Sequence, residues 1–213
     1  MTVIGQAWIR AVHELGGRAD LATAAAGELD RAYGAADRSY HGTAHIQDVL
    51  AKVALLGAEV GLDQASMAAV SAAACAHDIV YEGKAGEDER ASADWALRAL
   101  VGSGVPASVS RRVHDLVLST IDHVAPPSDL QAAVLLDADL SILGSDRGGY
   151  ATYLIAVRRD YLAVPEAVWR IGRAAMLQAL LDRIELFHTE AARCRWDAPA
   201  RRNLAAELAE LDP

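Results

Sequence analysis

The sequence has one phenylalanine, two cysteines and no long run of basic residues among its 213 positions. With aromatic residues at 5% and abundant alanine, it favours close-packed helices over a β-sandwich. Cys75 and Cys194 form no CxxC motif and no disulfide framework, which predicts a reducing compartment and a packing role for Cys75. A net charge of −9 without a basic patch argues against nucleic acid or an anionic membrane as the main partner. Acidic charge repels phosphate too, so a phosphate site in this chain needs a metal ion or local arginines. No segment supplies the roughly 20 apolar residues of a membrane span. The first residues run into Arg10, His13 and Glu14 without the basic start and unbroken apolar stretch of a signal peptide. These absences predict a soluble, cytoplasmic protein.

What is present is helical periodicity. Apolar residues make up 53%, enough to exclude disorder and to fill one sizeable core. Spacings of three and four recur in Ile46, Val49, Leu50, Val53, Leu56 and Val60, and in Met67, Val70, Ala74 and His77. They continue in Val113, Leu116, Val117, Thr120 and Val124, in Ala132, Leu136, Asp139 and Leu143, and in Tyr150, Tyr153, Leu154, Val157 and Tyr161. A late helix carries Trp169, Arg173, Met176, Leu177, Leu180 and Ile184. Turn residues separate these stripes at Gly61-Leu62-Asp63, Gly83 to Gly86, Gly102-Ser103-Gly104, Pro126-Pro127-Ser128 and Gly144-Ser145-Asp146. Pro106 and Pro165 suit first-turn helix positions. The expected fold is all-α: one domain over residues 1–213, a bundle of about eight to ten helices. Its core covers about 36–190, and terminal helices pack upon it.

Polar residues on the greasy stripes need a reason. His77 falls on the stripe of Met67, Val70 and Ala74, with Asp78 beside it. Asp139 lies between Leu136 and Leu143, where an unpaired carboxylate costs several kcal/mol unless a cation or dense hydrogen bonding meets it. Asp137 points elsewhere on that helix and reads as a solvated or capping carboxylate. His45 opens the helix of Val49 and Val53, four residues after His41, so both rings share a face if that helix starts early. His45, His77, Asp78 and Asp139 make a mixed nitrogen and oxygen set suited to a divalent transition metal.

The order H…HD…D in a helical chain resembles the HD superfamily of metal-dependent phosphohydrolases, and within it a small bacterial group of predicted HD phosphohydrolases. The similar segments are Arg38-Ser39-Tyr40-His41 to His45-Ile46, His77-Asp78-Ile79-Val80-Tyr81, Asp88-Glu89 with Ser92-Ala93, and Thr120-Ile121-Asp122-His123. They continue through Leu136 to Gly144, Tyr150 to Arg158 and Tyr161, Gly172-Arg173, and Arg201-Arg202-Asn203-Leu204 with Glu207-Leu208. Three positions depart from that pattern: Asp88 stands where Asn is expected, Asp160 where Glu is expected, and Phe187 where Tyr is expected.

The resemblance implies hydrolysis of a phosphate ester or anhydride, with a nucleotide as substrate. It implies a divalent ion (Mn, Fe, Co, Ni, Zn or Mg) that activates water. The Tyr40-His41 to His45 segment also looks like the start of the cyclic nucleotide phosphodiesterase site, a distant relative, and this makes His41 the general acid. On such a mechanism Asp78 or Asp139 orients the attacking water, and the family match favours Glu89 over Glu82 as support for a metal-bound water or a ligand histidine. His123 is a second-metal ligand, a phosphate contact or a structural residue. Arg38, Arg158 and Arg173 lie in the similar segments, and their guanidinium forks suit substrate phosphate as well as ordinary ion pairs. Glu82 and His114, His13 and His188 keep structural or surface readings. The alternatives are an HD-type di-iron oxygenase, which needs His123 and a further histidine, and a non-catalytic nucleotide-binding regulatory module. A homo-oligomer is open to the late helices.

Overall fold

A computed structural model describes residues 1–211, and among them every regular element is helical. The helices are α1 (Val3–Glu14), α2 (Ala19–Tyr33), α3 (Thr43–Glu59), α4 (Gln64–Ala76), α5 (Glu87–Gly102), α6 (Ala107–Leu118), α7 (Leu130–Leu140), α8 (Arg147–Asp160) and α9 (Glu166–Leu181). The tenth, α10, opens with Glu190–Ala192, widens into a π turn over Arg193–Asp197 and continues as Ala198–Leu211. A 3₁₀ turn, Ser141–Gly144, extends α7.

Local chemistry sets the starts. The side chains of Thr2, Asp63, Asp129, Asp146 and Thr189 accept backbone N–H groups in the first turns of α1, α4, α7, α8 and α10. Such caps are each worth about 1 kcal/mol, because they meet amides that have no partner inside the helix. Pro106 and Pro165 stand at the N-caps of α6 and α9, one position before the first turn.

Two helices are buried nearly all round. In α4 every residue from Ala68 to Ala76 except Ser71 is buried, and in α7 every residue from Ala132 to Ala138 is. A helix enclosed on all sides is apolar on all sides. Here alanine makes that possible by letting neighbouring backbones come close. Helix α4 touches α1, α3, α5, α6 and α7, and α3 also packs on α7. One cluster of buried apolar residues runs from Ile4 to Leu204, with Trp8, Tyr33 and Phe187 among its largest fully buried members. At Gly144 an added Cβ would lie 2.5 Å from Trp196 Cβ and 2.8 Å from its Cα, so only glycine lets the 3₁₀ turn meet α10 there.

Three sequence expectations change. Helix α6 stops at Leu118, so Val124 is not on its stripe and is exposed. Ile184 lies past the end of α9 and is 97% exposed. Helix α3 begins at Thr43 with Gly42 as its cap, so His41 sits in the preceding turn rather than on the helix face of His45. No helix among the described residues is long and apolar enough to cross a membrane.

Candidate metal centre

The core geometry brings three helix ends together. His45 is in the first turn of α3, His77 ends α4, and Asp139 is in the last turn of α7. Carboxyl-terminal helix ends carry partial negative charge, so α4 and α7 both favour a cation at this point.

The side chains converge. His45 Nε2 lies 3.3 Å from His77 Nε2 and 3.2 Å from Asp139 Oδ1, and His77 Nε2 lies 3.5 Å from the same oxygen. Asp78 Oδ2 is 3.4 Å from His45 Nε2 and 3.2 Å from His77 Nε2. His45, His77 and Asp139 form the compact core of a group that can hold a metal ion, and Asp78 joins it through both imidazoles. Ligands about 2.1 Å from an ion stand roughly 3.0 Å apart around an octahedron and 3.4 Å apart around a tetrahedron. The observed spacings fall in or just above that interval, so the donor set fits a divalent ion. His77 Nδ1 lies 3.0 Å from the Ala74 carbonyl oxygen; as a donor to it, this nitrogen fixes the ring and leaves Nε2 for the cluster.

The charges are strongly coupled. Burial pushes the His77 pKa down, yet the Asp78 and Asp139 carboxylates outweigh it and hold His77 well above the usual histidine value. His45 is raised in the same way, against burial, by hydrogen bonds to Asp139 and Asp78. Burial pushes Asp78 and Asp139 up, but His77 and the other imidazoles hold both well below the usual carboxylate range.

Above the cluster lies a cavity of about 220 Å³ whose walls include His41, Tyr81, Lys84, Glu89, His123 and Tyr153. His41 is held by Asp160, whose Oδ2 is 2.8 Å from His41 Nδ1. The same carboxylate accepts the backbone N–H groups of Ser39, Tyr40 and His41. Burial pushes the Asp160 pKa up, but its bonds to His41 and these amides bring it below the usual value. An ionised Asp160 keeps the proton on His41 Nδ1 and leaves Nε2 as the nitrogen free for proton transfer. Tyr81 stacks on the His41 ring, with centroids 3.9 Å apart at 22°. Tyr40 packs against His41, His45 and Tyr153.

His123 reaches the cluster from the turn after α6, with Nε2 3.0 Å from Asp139 Oδ2. Its φ of 52° is left-handed, a conformation costing a non-glycine residue on the order of 1 kcal/mol. Arg183 holds that turn by donating to the Asp122 and His123 carbonyls at 2.6 and 3.0 Å. His188 Nε2 accepts the Ala125 N–H while His188 Nδ1 lies 3.1 Å from Asp137. Arg183 does not stand out in the sequence, because it acts through a turn distant in the chain, and Asp160 shows there only as an aspartate at a position where the similar segments lead one to expect Glu. Asp137 is fully buried rather than solvated and accepts bonds from the His188 and Thr189 N–H groups and the Thr189 hydroxyl, just before α10, whose cap is Thr189 itself.

The three arginines expected at the substrate do not line that cavity, and the structure gives each of them protein partners, the ion-pair side of their sequence reading. Arg38 donates to the Asp78 and Ile79 carbonyls, both at 2.6 Å, and so locks the chain that carries Asp78. Arg158 binds Glu166 and the Tyr161 and Val164 carbonyls. Arg173 is buried, pairs bidentately with Glu207 at 2.7 and 3.0 Å, and donates to Tyr153 Oη. In each case the donors already face protein acceptors. Glu89 lines the cavity, but its Oε2 accepts the Gly86 N–H at 2.6 Å and caps α5, which places it on the loop frame rather than against a ligand histidine.

No family model, curated protein or solved structure matches this chain.

Proposed function

We propose that the protein is a metal-dependent phosphohydrolase of the HD type, cleaving a phosphate ester or anhydride of a nucleotide. The observation that carries this reading is the convergence of His45, His77, Asp78 and Asp139 under a cavity whose wall holds the oriented His41–Asp160 pair.

A divalent ion bound there supplies Lewis acidity toward phosphoryl oxygens and lowers the pKa of water. The chain's residues do the rest. His45, His77, Asp78 and Asp139 would hold the ion through two nitrogens and two carboxylates. Asp139, facing His123 with its other oxygen, has an acceptor able to orient an attacking water. His41, with Nδ1–H fixed by Asp160, gives the proton at Nε2 to the leaving oxygen when it arrives protonated. Tyr40, Tyr81 and Tyr153 wall the site and limit bulk water.

The di-iron oxygenase reading needs a further histidine besides His123. Besides His77, already in the metal cluster, the described residues lining the cavity offer only His41, and Asp160 already holds it. The test is a phosphate-release screen of mono- and diesters and nucleotides with Mn, Co, Ni, Zn, Mg and Fe(II). Metal-dependent release, lost after chelation, supports the proposal. Tight nucleotide binding with no release across the panel favours the non-catalytic module instead.

A further inference from the structure

Resting on the phosphohydrolase reading is a question the arginines leave open: which side chain meets the phosphate. Among the described residues lining the cavity, Lys84 is the only lysine or arginine. The other charged groups there, apart from histidines, are the carboxylates of Asp78, Asp88, Glu89 and Asp139. A phosphoryl group entering this acidic space meets the histidine and aspartate cluster, the other histidines and, on the wall, one lysine whose ammonium is exposed.

The loop bearing Lys84 is built by two carboxylates. Buried Asp88 accepts the backbone N–H groups of Glu82 and Lys84 on Oδ2, at 2.8 and 2.9 Å. Glu89 accepts that of Gly86 at 2.6 Å. Gly83 and Gly86, with φ of 76° and 80°, take the left-handed turns this path requires. The backbone on both sides of Lys84 is therefore fixed, while its ammonium lies in solvent, 2.6 Å from Glu82 Oε2. At the loop's start, Tyr81 stacks on His41, so the loop and the proton donor share one wall.

We propose that Lys84 is the residue that binds the substrate's phosphoryl oxygens, exchanging its contact with Glu82 for the phosphate. One lysine on the wall beside one candidate metal cluster, in a cavity of about 220 Å³ that is below the roughly 300–1,000 Å³ common for ligand sites, fits a substrate with a single phosphoryl group. A di- or triphosphate brings further negative charge against four carboxylates with no second cation to meet it.

The test uses metal-loaded wild type, Lys84→Met, Lys84→Arg and Glu82→Gln. Two probes are used: inorganic phosphate in calorimetric binding, and para-nitrophenyl phosphate in steady-state hydrolysis. Losing a charge-assisted hydrogen bond weakens phosphate binding and raises KM roughly tenfold in Lys84→Met, chiefly through KM rather than kcat. Lys84→Arg restores most of the loss. Glu82→Gln frees the ammonium and tightens phosphate about twofold. The salt dependence of binding becomes shallower in Lys84→Met. Phosphate bound equally by wild type and Lys84→Met, with unchanged KM, overturns the Lys84 assignment while hydrolysis itself still stands. A nucleoside triphosphate turned over with higher kcat/KM than the monophosphate overturns the single-phosphoryl class. Absence of all hydrolysis removes the enzymatic reading, and the phosphate-binding comparison still decides Lys84.

Discussion

Replacing Asp139 with asparagine removes the carboxylate that three imidazoles share. Its oxygens lie 3.2 Å from His45, 3.5 Å from His77 and 3.0 Å from His123. Asparagine keeps the shape but removes the anionic donor, so divalent affinity falls about 100-fold or more, at least the loss seen when groups supporting a metal ligand are removed. A ligand at 100 times its Kd stabilises the fold by about 2.7 kcal/mol. With unfolding entropy near 2.1 cal/mol/K per residue, a chain of this length shifts by about 6 °C. At the same ion concentration the variant sits near its own Kd, gains about 0.4 kcal/mol and shifts by about 1 °C. Thermal unfolding with and without Mn or Zn, each against a chelator control, reads both numbers. An Asp139→Asn protein that folds and keeps the full metal-induced shift would refute the assignment of Asp139 as a ligand.

Other outcomes follow from the same contacts. In the metal-free protein, His45 and His77 are raised above about 6.5, so their stabilisation is complete below that pH and is lost as pH rises through their folded values. Asp78 and Asp139 are lowered below about 3.9, so theirs is present above that pH and lost as pH falls through the folded values. Urea titrations should therefore show greatest metal-free stability between about pH 4 and 6.5, while metal affinity rises with pH as the imidazoles shed protons. His41→Ala is expected to lower kcat by about 10²–10⁴ with metal content unchanged, and Asp160→Asn to lower it by releasing the tautomer, visible as a changed kcat–pH profile. Breaking the buried pair with Arg173→Met leaves Glu207 unpaired and should destabilise by about 3–5 kcal/mol in urea unfolding, while the double change Arg173→Met with Glu207→Leu recovers part of it.

Periodicity made the helices legible because burial in a bundle repeats every three to four residues, and α3, α4, α7 and α8 appear on the expected stripes. Helix ends were harder. The stripe through Val124 looked continuous, but the chain turns at Ser119 to His123, held there by Arg183 from far along the sequence. His77 and Asp139, members of the cluster that could hold a metal ion, were legible because each is polar on an otherwise buried face. The arginines were ambiguous in the sequence because a guanidinium suits phosphate and a carbonyl pair equally, and only three dimensions show Arg38 facing Asp78 and Ile79. Asp160 was legible only as a departure from an expected Glu, and its hold on His41 was not, since its partners lie about 120 residues away. Lys84 was hidden by its setting, a lysine beside glutamate on a glycine loop, until the cavity wall showed that it stands there without another lysine or arginine.

The most direct measurement is elemental analysis of freshly purified wild type beside His77→Ala, with folding of the variant checked by circular dichroism. Wild type should carry about one tightly held divalent ion per chain and His77→Ala little, because the variant loses one of the imidazoles that would hold it. A wild-type protein that neither carries nor takes up a divalent ion, or a folded His77→Ala protein that retains it in full, would contradict the account.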